Sequence, residues 1–213
     1  MSNADEIQNA SRITVIGVGN GGVNTVKQMI SRQLLHAEFI CADTDARALA
    51  RCGACRTLQL GASGLGAANP IRGRQAAELS VDQIRKTIDG AQLLFIIAGM
   101  SGGTGTGAAP AIARVGKEMG ILTVGVVTTP CDWEGAKRMH NALAGLAELK
   151  SNVDSLIVLP LERLIERLGD DLTQDEFLVQ ANDLISAVVG GIAGMHTWDA
   201  SYMSKGDCNP QSI

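Results

Sequence analysis

The fold class legible in this sequence is α/β, a Rossmann-like parallel sheet with helices on both faces, and three observations predict it. Short apolar, β-branched runs alternate with segments of helical spacing along most of the chain. The run 93–98 is apolar throughout, as a strand buried on both faces must be. Glycines cluster just after the strand-like runs instead of filling a linker, so the backbone turns tightly or meets something closely there.

The elements follow in order. Residues 1–11 are polar and read as a disordered N-terminus. A first strand over 13–17 ends in glycines, and 23–35 has helical spacing through Val23, Val26, Met29, Ile30 and Leu34. Strands at 39–41 and 57–60 flank a short helix ending near Leu49. A glycine-rich loop over 61–69 leads to Pro70, which suits a helix start, and one helical region is expected to about Ile88. The strand 93–98, a loop 99–107, a helix 108–119 and a strand 122–128 come next. Then follow a loop 129–135, a helix 136–150 and a strand 155–159. Pro160 opens a short helix to Leu168, a long one runs from about Thr173 to Met195, and 196–213 reads as a polar tail. Residues 12–195 thus make one domain, and strand–helix–strand alternation makes its sheet parallel.

Composition excludes several functions. Of 213 residues, 46% are apolar and 19% charged, which is ordinary for a folded chain. Aromatics are 3% and net charge is −4, which argues against a nucleic-acid groove. No apolar run reaches the roughly 18 residues of a membrane span, and the first residues lack a secretory pattern, so a cytoplasmic location is expected. The five cysteines form an odd set in such a chain, and no disulfide framework is expected. Cys52 and Cys55 have the spacing of half a zinc site. With no second pair and with His36, His140 and His196 remote in sequence, no metal site is expected.

Ligands of parallel sheets sit beyond the carboxyl ends of the strands, where all of these loops gather. Gly17, Gly19 and Gly22 give G-x-G-x-x-G between a strand and a helix, with Asn20 and Gly21 inside it. Backbone N–H groups there can face a diphosphate. Asp43 stands where dinucleotide enzymes place a ribose-binding acid, so that class is one alternative. A second loop, Ser101-Gly102-Gly103-Thr104-Gly105-Thr106-Gly107, follows the buried strand. Its glycines can form a nest of N–H donors and its threonines add hydroxyls. A dinucleotide fold has no use for a phosphate loop in that place.

The run from Ala98 through Gly99 and the second loop to Pro110 resembles the signature loop of the tubulin/FtsZ family. Ile16 to Asn24 is similar to that family's first phosphate loop, and Asp43 to Leu49 to its second. Gly64 to Pro70, with Ala67, Ala68 and Asn69, resembles its γ-phosphate loop. Glu134 to Arg138 resembles the segment whose Glu and Arg hold the ribose, and Pro130 before it joins the nucleotide-binding candidates. Val153 to Ile157 resembles the strand beyond it, and Ala181-Asn182-Asp183 the start of the central helix. The resemblance implies GTP or GDP as ligand, with Mg2+ beside GTP, and Asn182 as reader of the guanine edge.

Departures from the family pattern carry expectations too. The γ-phosphate loop is shorter, Asp43 replaces an asparagine, and Leu161 replaces another after Pro160. Leu178 occupies the position of a base-stacking phenylalanine, and Phe177, one helical residue earlier, is expected to point away. The family completes hydrolysis with an acidic loop from the next subunit; here Met203, Lys205 and Cys208 stand at its positions, and the family's second domain is expected to be missing. No catalytic residue is therefore assigned. The expected partners are guanine nucleotide and full-length FtsZ, or a second copy through the nucleotide face or final helix. The chain would then modulate or cap division filaments; an autonomous nucleotide-binding scaffold or switch is the alternative.

Overall fold

The computed structural model describes residues 12–33, 35–53, 55–62, 67, 69–169 and 172–204, with side chains to 194. Its strands are β1 (Ile13–Val18), β2 (Glu38–Asp43), β3 (Arg56–Gln59), β4 (Leu93–Gly99), β5 (Leu122–Thr129) and β6 (Ser155–Pro160). They form one parallel sheet in the order β3-β2-β1-β4-β5-β6. The helices are α1 (Gly19–Ser31), α2 (Ala46–Ala50), α3 (Pro70–Glu78), α4 (Val81–Ile88), α5 (Gly103–Glu118), α6 (Ala136–Asn152), α7 (Leu161–Leu168) and α8 (Gln174–Ser204).

Alternation along the central strands divides the core in two. Ile16, Val18, Leu94, Ile96 and Ala98 face the α3–α6 side. Val15, Cys41, Phe95, Ile97 and Val126 face α1, α2 and α8. Phe95 is fully buried; its truncation to alanine would cost about 3–5 kcal/mol in transfer and cavity energy. The strand order reverses direction between β1 and β4, and a crevice opens at such a switch point. Gly17 lies beside Ile97 and Val18 beside Ala98, so both glycine-rich segments leave the sheet next to each other.

Three elements differ from the expected ones. The helical region after Pro70 is two helices: Ser80 turns its hydroxyl to accept from the Gly61 N–H at 2.8 Å, anchoring the break to the end of β3. Residues 103–107 are not loop but the first turn and more of α5, with Pro110 inside that helix. Helix α8 runs on to Ser204, past Met195.

Helix α8 lays one stripe on the domain: Phe177, Ala181, Ile185, Val189 and Ala193, spaced four apart, are all buried. Within it, Gln174–Gly194 is long and apolar enough to cross a membrane by length and composition alone. Ile185, Val189 and Ala193 of that stripe pack in the core on the α1 side of the sheet. Leu178, Val179 and Leu184 of the same helix are exposed.

Candidate functional site

A cleft of about 960 Å³ opens at the carboxyl ends of β1, β2, β4 and β5. Its floor is the start of two helices. Both α1 and α5 begin without a side-chain cap and without an acidic residue in the first turn. First-turn N–H groups lack intrahelical partners, and with the helix dipole they favour an anion. Helices α2 and α3 contrast with them, being capped by Asp45 and Asn69.

The glycines sort into two kinds. At Gly19, with φ +71°, an added Cβ would lie 2.7 Å from the Gly105 nitrogen. At Gly22 it would lie 2.1 Å from the Ile97 oxygen, at Gly103 2.1 Å from the Ala67 oxygen, and at Gly105 2.5 Å from the Gly99 oxygen. These residues let the main chain of one loop rest on that of another. At Gly21 and Gly99 a Cβ would meet only ordinary contacts at 3.6 Å, and at Gly102 nothing within 4 Å. All three line the cleft, and there the missing side chain leaves room for a ligand. This cradle suits a phosphate group.

The cleft gathers Gly19, Asn20, Gly21, Gly22, Asp43, Ala67, Gly99, Ser101, Gly102, Gly103, Thr104, Gly105, Glu134, Arg138, Leu178 and Asn182. Five other candidates are not on its wall: Asn24, Asn69, Thr106, Gly107 and Pro130. Asn69 instead caps α3, its Oδ1 accepting from the Arg72 N–H at 3.1 Å. Gly107 serves helix packing, since a Cβ there would strike the Pro70 oxygen at 2.0 Å. Thr106 is buried against α6, and its hydroxyl has no hydrogen-bond partner among the described residues. Ala68 lies outside the described residues, as do Lys205 and Cys208; of Met203 only the backbone is described.

Asp43 is buried and works as a tie. Its Oδ1 accepts from the N–H groups of Thr44 at 2.7 Å and Asp45 at 3.2 Å, and from the Thr104 hydroxyl at 3.2 Å. It thereby joins the loop after β2 to the start of α5. At the far end, Glu134 accepts from the Cys131 N–H at 3.0 Å and from Arg138 at 2.7 Å. Burial, helped by the nearby Glu134 charge, pushes the Cys131 thiol up to about 11, so it stays neutral at pH 7.

The wall opposite the phosphate cradle comes from α8. Phe177 was expected to point away from the cleft but lines it beside Leu178. Both residues can do so because the cleft follows one face of α8 from Gln174 to Ile185, with Phe177 and Leu178 on its two sides. Asn182 is already engaged: its Oδ1 lies 2.7 Å from the Thr25 hydroxyl, and its amide nitrogen donates to Gln28 at 3.2 Å. Thr25, Asp45, Arg51, Thr128, Cys131, Trp133, Leu161 and Gln174 also line the cleft. None carried a motif signal except Asp45 and Leu161, which lie in segments already singled out; the fold brings the others in.

Two uncapped helix starts at a switch point, floored by glycines that leave space, define a doubly wound α/β domain built to admit an anionic ligand. The chain belongs to the tubulin/FtsZ family: the family's GTPase domain model matches residues 12–169. Cell division protein FtsZ of Neisseria gonorrhoeae is 47% identical over 189 residues, 87% of this chain and 48% of that protein. FtsZ of Pseudomonas putida is 49% identical over 193 residues, 89% of this chain and 48% of that one. The chain thus spans about half the length of the curated relatives it matches. Among solved structures, an empty FtsZ dimer of M. jannaschii superposes with TM-score 0.82 at 35% identity, covering 91% of this chain and 59% of that one. CetZ1 of Haloferax volcanii, a GDP-bound monomer, shares the fold at TM-score 0.76 and 21% identity, over 86% and 60% of the two chains.

Proposed function

We propose that this chain is a cytoplasmic guanine-nucleotide-binding member of the FtsZ group, which presents its nucleotide to full-length FtsZ and does not hydrolyse GTP by itself. The observation that carries the reading is the cradle of Gly21, Gly99 and Gly102 below two uncapped helix starts. The phosphates of GDP or GTP occupy that cradle, Glu134 and Arg138 lie toward the ribose, and the base rests against Phe177 and Leu178. For Asn182 to read the guanine edge, its amide must leave Thr25 or Gln28, so base recognition is weakened by an internal competitor. With GTP bound, the Asp43 carboxylate would need a cation to offset its charge beside the phosphates, which Mg2+ would supply.

The catalytic half of the proposal rests on sequence. Met203, Lys205 and Cys208 stand where the family's acidic loop would polarise water for the neighbouring nucleotide, and none is a carboxylate. A full-length FtsZ can supply that loop to this chain's nucleotide, whereas this chain cannot return it. It would then cap or shorten filaments. Titration into polymerising FtsZ, followed by light scattering and phosphate release, tests this. Shorter polymers with negligible phosphate release by the chain alone are expected. Concentration-dependent hydrolysis by the chain alone would contradict the catalytic half. Unchanged polymers without co-pelleting would leave an autonomous scaffold.

A further inference from the structure

We propose that Cys41, Cys52 and Cys55, none of which lines the cleft, form a three-coordinate binding site for a soft monovalent metal ion, Cu+. In sequence only Cys52 and Cys55 are close; the third thiol is delivered by the sheet. Cys41 lies in β2 opposite Thr57 of β3, and Cys55 precedes β3 by one residue. Cys52 follows α2, and Gly53, with φ +69°, turns the chain between them. The three sulfurs all lie within 4.8 Å of one another, and no imidazole or carboxylate of the described residues belongs to the group.

The donor set selects the ion. Thiolates are soft donors that favour Cu+ and Zn2+ over hard cations. Structural zinc almost always takes four protein ligands, and only three are present in this group. A metal–sulfur bond of about 2.3 Å spaces three coplanar sulfurs roughly 4.0 Å apart, inside the observed limit. The Cys55 and Cys41 sulfurs, now 3.1 Å apart in a thiol–thiol contact, must separate by roughly 1 Å on that geometry. Cys55 is the partly exposed member of the three and can move outward; Cys41 and Cys52 are buried. Each thiol that coordinates gives up its proton to solvent, and no electron is transferred.

The test uses the whole reduced chain under anaerobic conditions, titrated with Cu+ held by the coloured competitor bicinchoninate, and in parallel with Zn2+. One Cu+ per chain should be withdrawn from the competitor. Cys41→Ser, Cys52→Ser and Cys55→Ser should each weaken binding at least tenfold, while Cys208→Ser leaves it unchanged. Circular dichroism screens the variants for folding. Wild-type protein gives a second reading: bound Cu+ should slow alkylation of Cys55 at least tenfold, read by peptide mass spectrometry. Failure to withdraw Cu+, tight binding of Zn2+ without Cu+, or unaltered alkylation of Cys55 in the Cu+-loaded chain would each overturn the assignment.

Discussion

The two ends of the cleft are built on different principles. The phosphate end is main chain laid on main chain: Gly19 against Gly105, Gly22 against Ile97, Gly103 against Ala67. The base end is side chains on α8, and they are exchangeable: Leu178 is 42% exposed, and Asn182 bonds to α1 rather than projecting free. Altering the first end disturbs the sheet's connections, whereas altering the second changes only what the cleft prefers. The departures from the family's pattern fall at both ends, Leu178 at one and Asp43 with the shorter loop before Pro70 at the other, while Gly19, Gly22, Gly103 and Gly105, where main chain meets main chain, stay glycine. That is the distribution the packing permits.

The largest effect that would sharpen this contrast is at Gly105. A leucine there would drive its Cβ into the Gly99 oxygen, which an unaltered backbone places at 2.5 Å. We expect a loss of about 3 kcal/mol or more, read as a lowered Tm or insoluble protein, before nucleotide affinity can be measured. A Gly105→Leu variant with wild-type Tm would break the comparison.

Gly102→Leu separates room for a ligand from room for the fold. Its φ of −87° and ψ of 167° suit any residue, and a Cβ meets nothing within 4 Å. The variant should keep its Tm within a few degrees and lose at least tenfold in GDP affinity by calorimetry. Equal affinity would mean that the phosphates lie elsewhere.

At the base end the change should be smaller and of opposite sign. Leu178→Phe offers a ring to the base, worth about 0.5–1.5 kcal/mol, so GDP should bind several-fold more tightly. No gain would indicate that Phe177 already supplies the stacking surface. The smallest effect is expected at Thr106. Its hydroxyl is buried with no hydrogen-bond partner among the described residues, so Thr106→Val should leave nucleotide content unchanged and Tm level or slightly raised. A large loss of nucleotide would return Thr106 to the binding site.

Much of this organisation was legible in the sequence because hydrophobic burial has a period. The apolar run within β4 and the helical spacing of α1 through Val23, Val26 and Met29 both follow from which faces must leave water. The glycines were harder. A glycine that admits a phosphate and one that admits another helix are the same letter, so no spacing reveals that Gly107 stands where α5 meets α3. The break at Ser80 had no Gly or Pro to announce it; a single hydroxyl bond to Gly61 marks it. Cys41 joins Cys52 and Cys55 only through strand register, which no local spacing reveals.

The account's central claim is that the cradle holds a guanine nucleotide, and the ligand carried by the purified chain tests it most directly. After denaturation and removal of protein, ion-pair chromatography of the supernatant should show GDP or GTP at close to one equivalent per chain, and in Gly102→Leu a small fraction of that. Recovery of a dinucleotide, of adenine nucleotide, or of none even after incubation with excess GDP would contradict it.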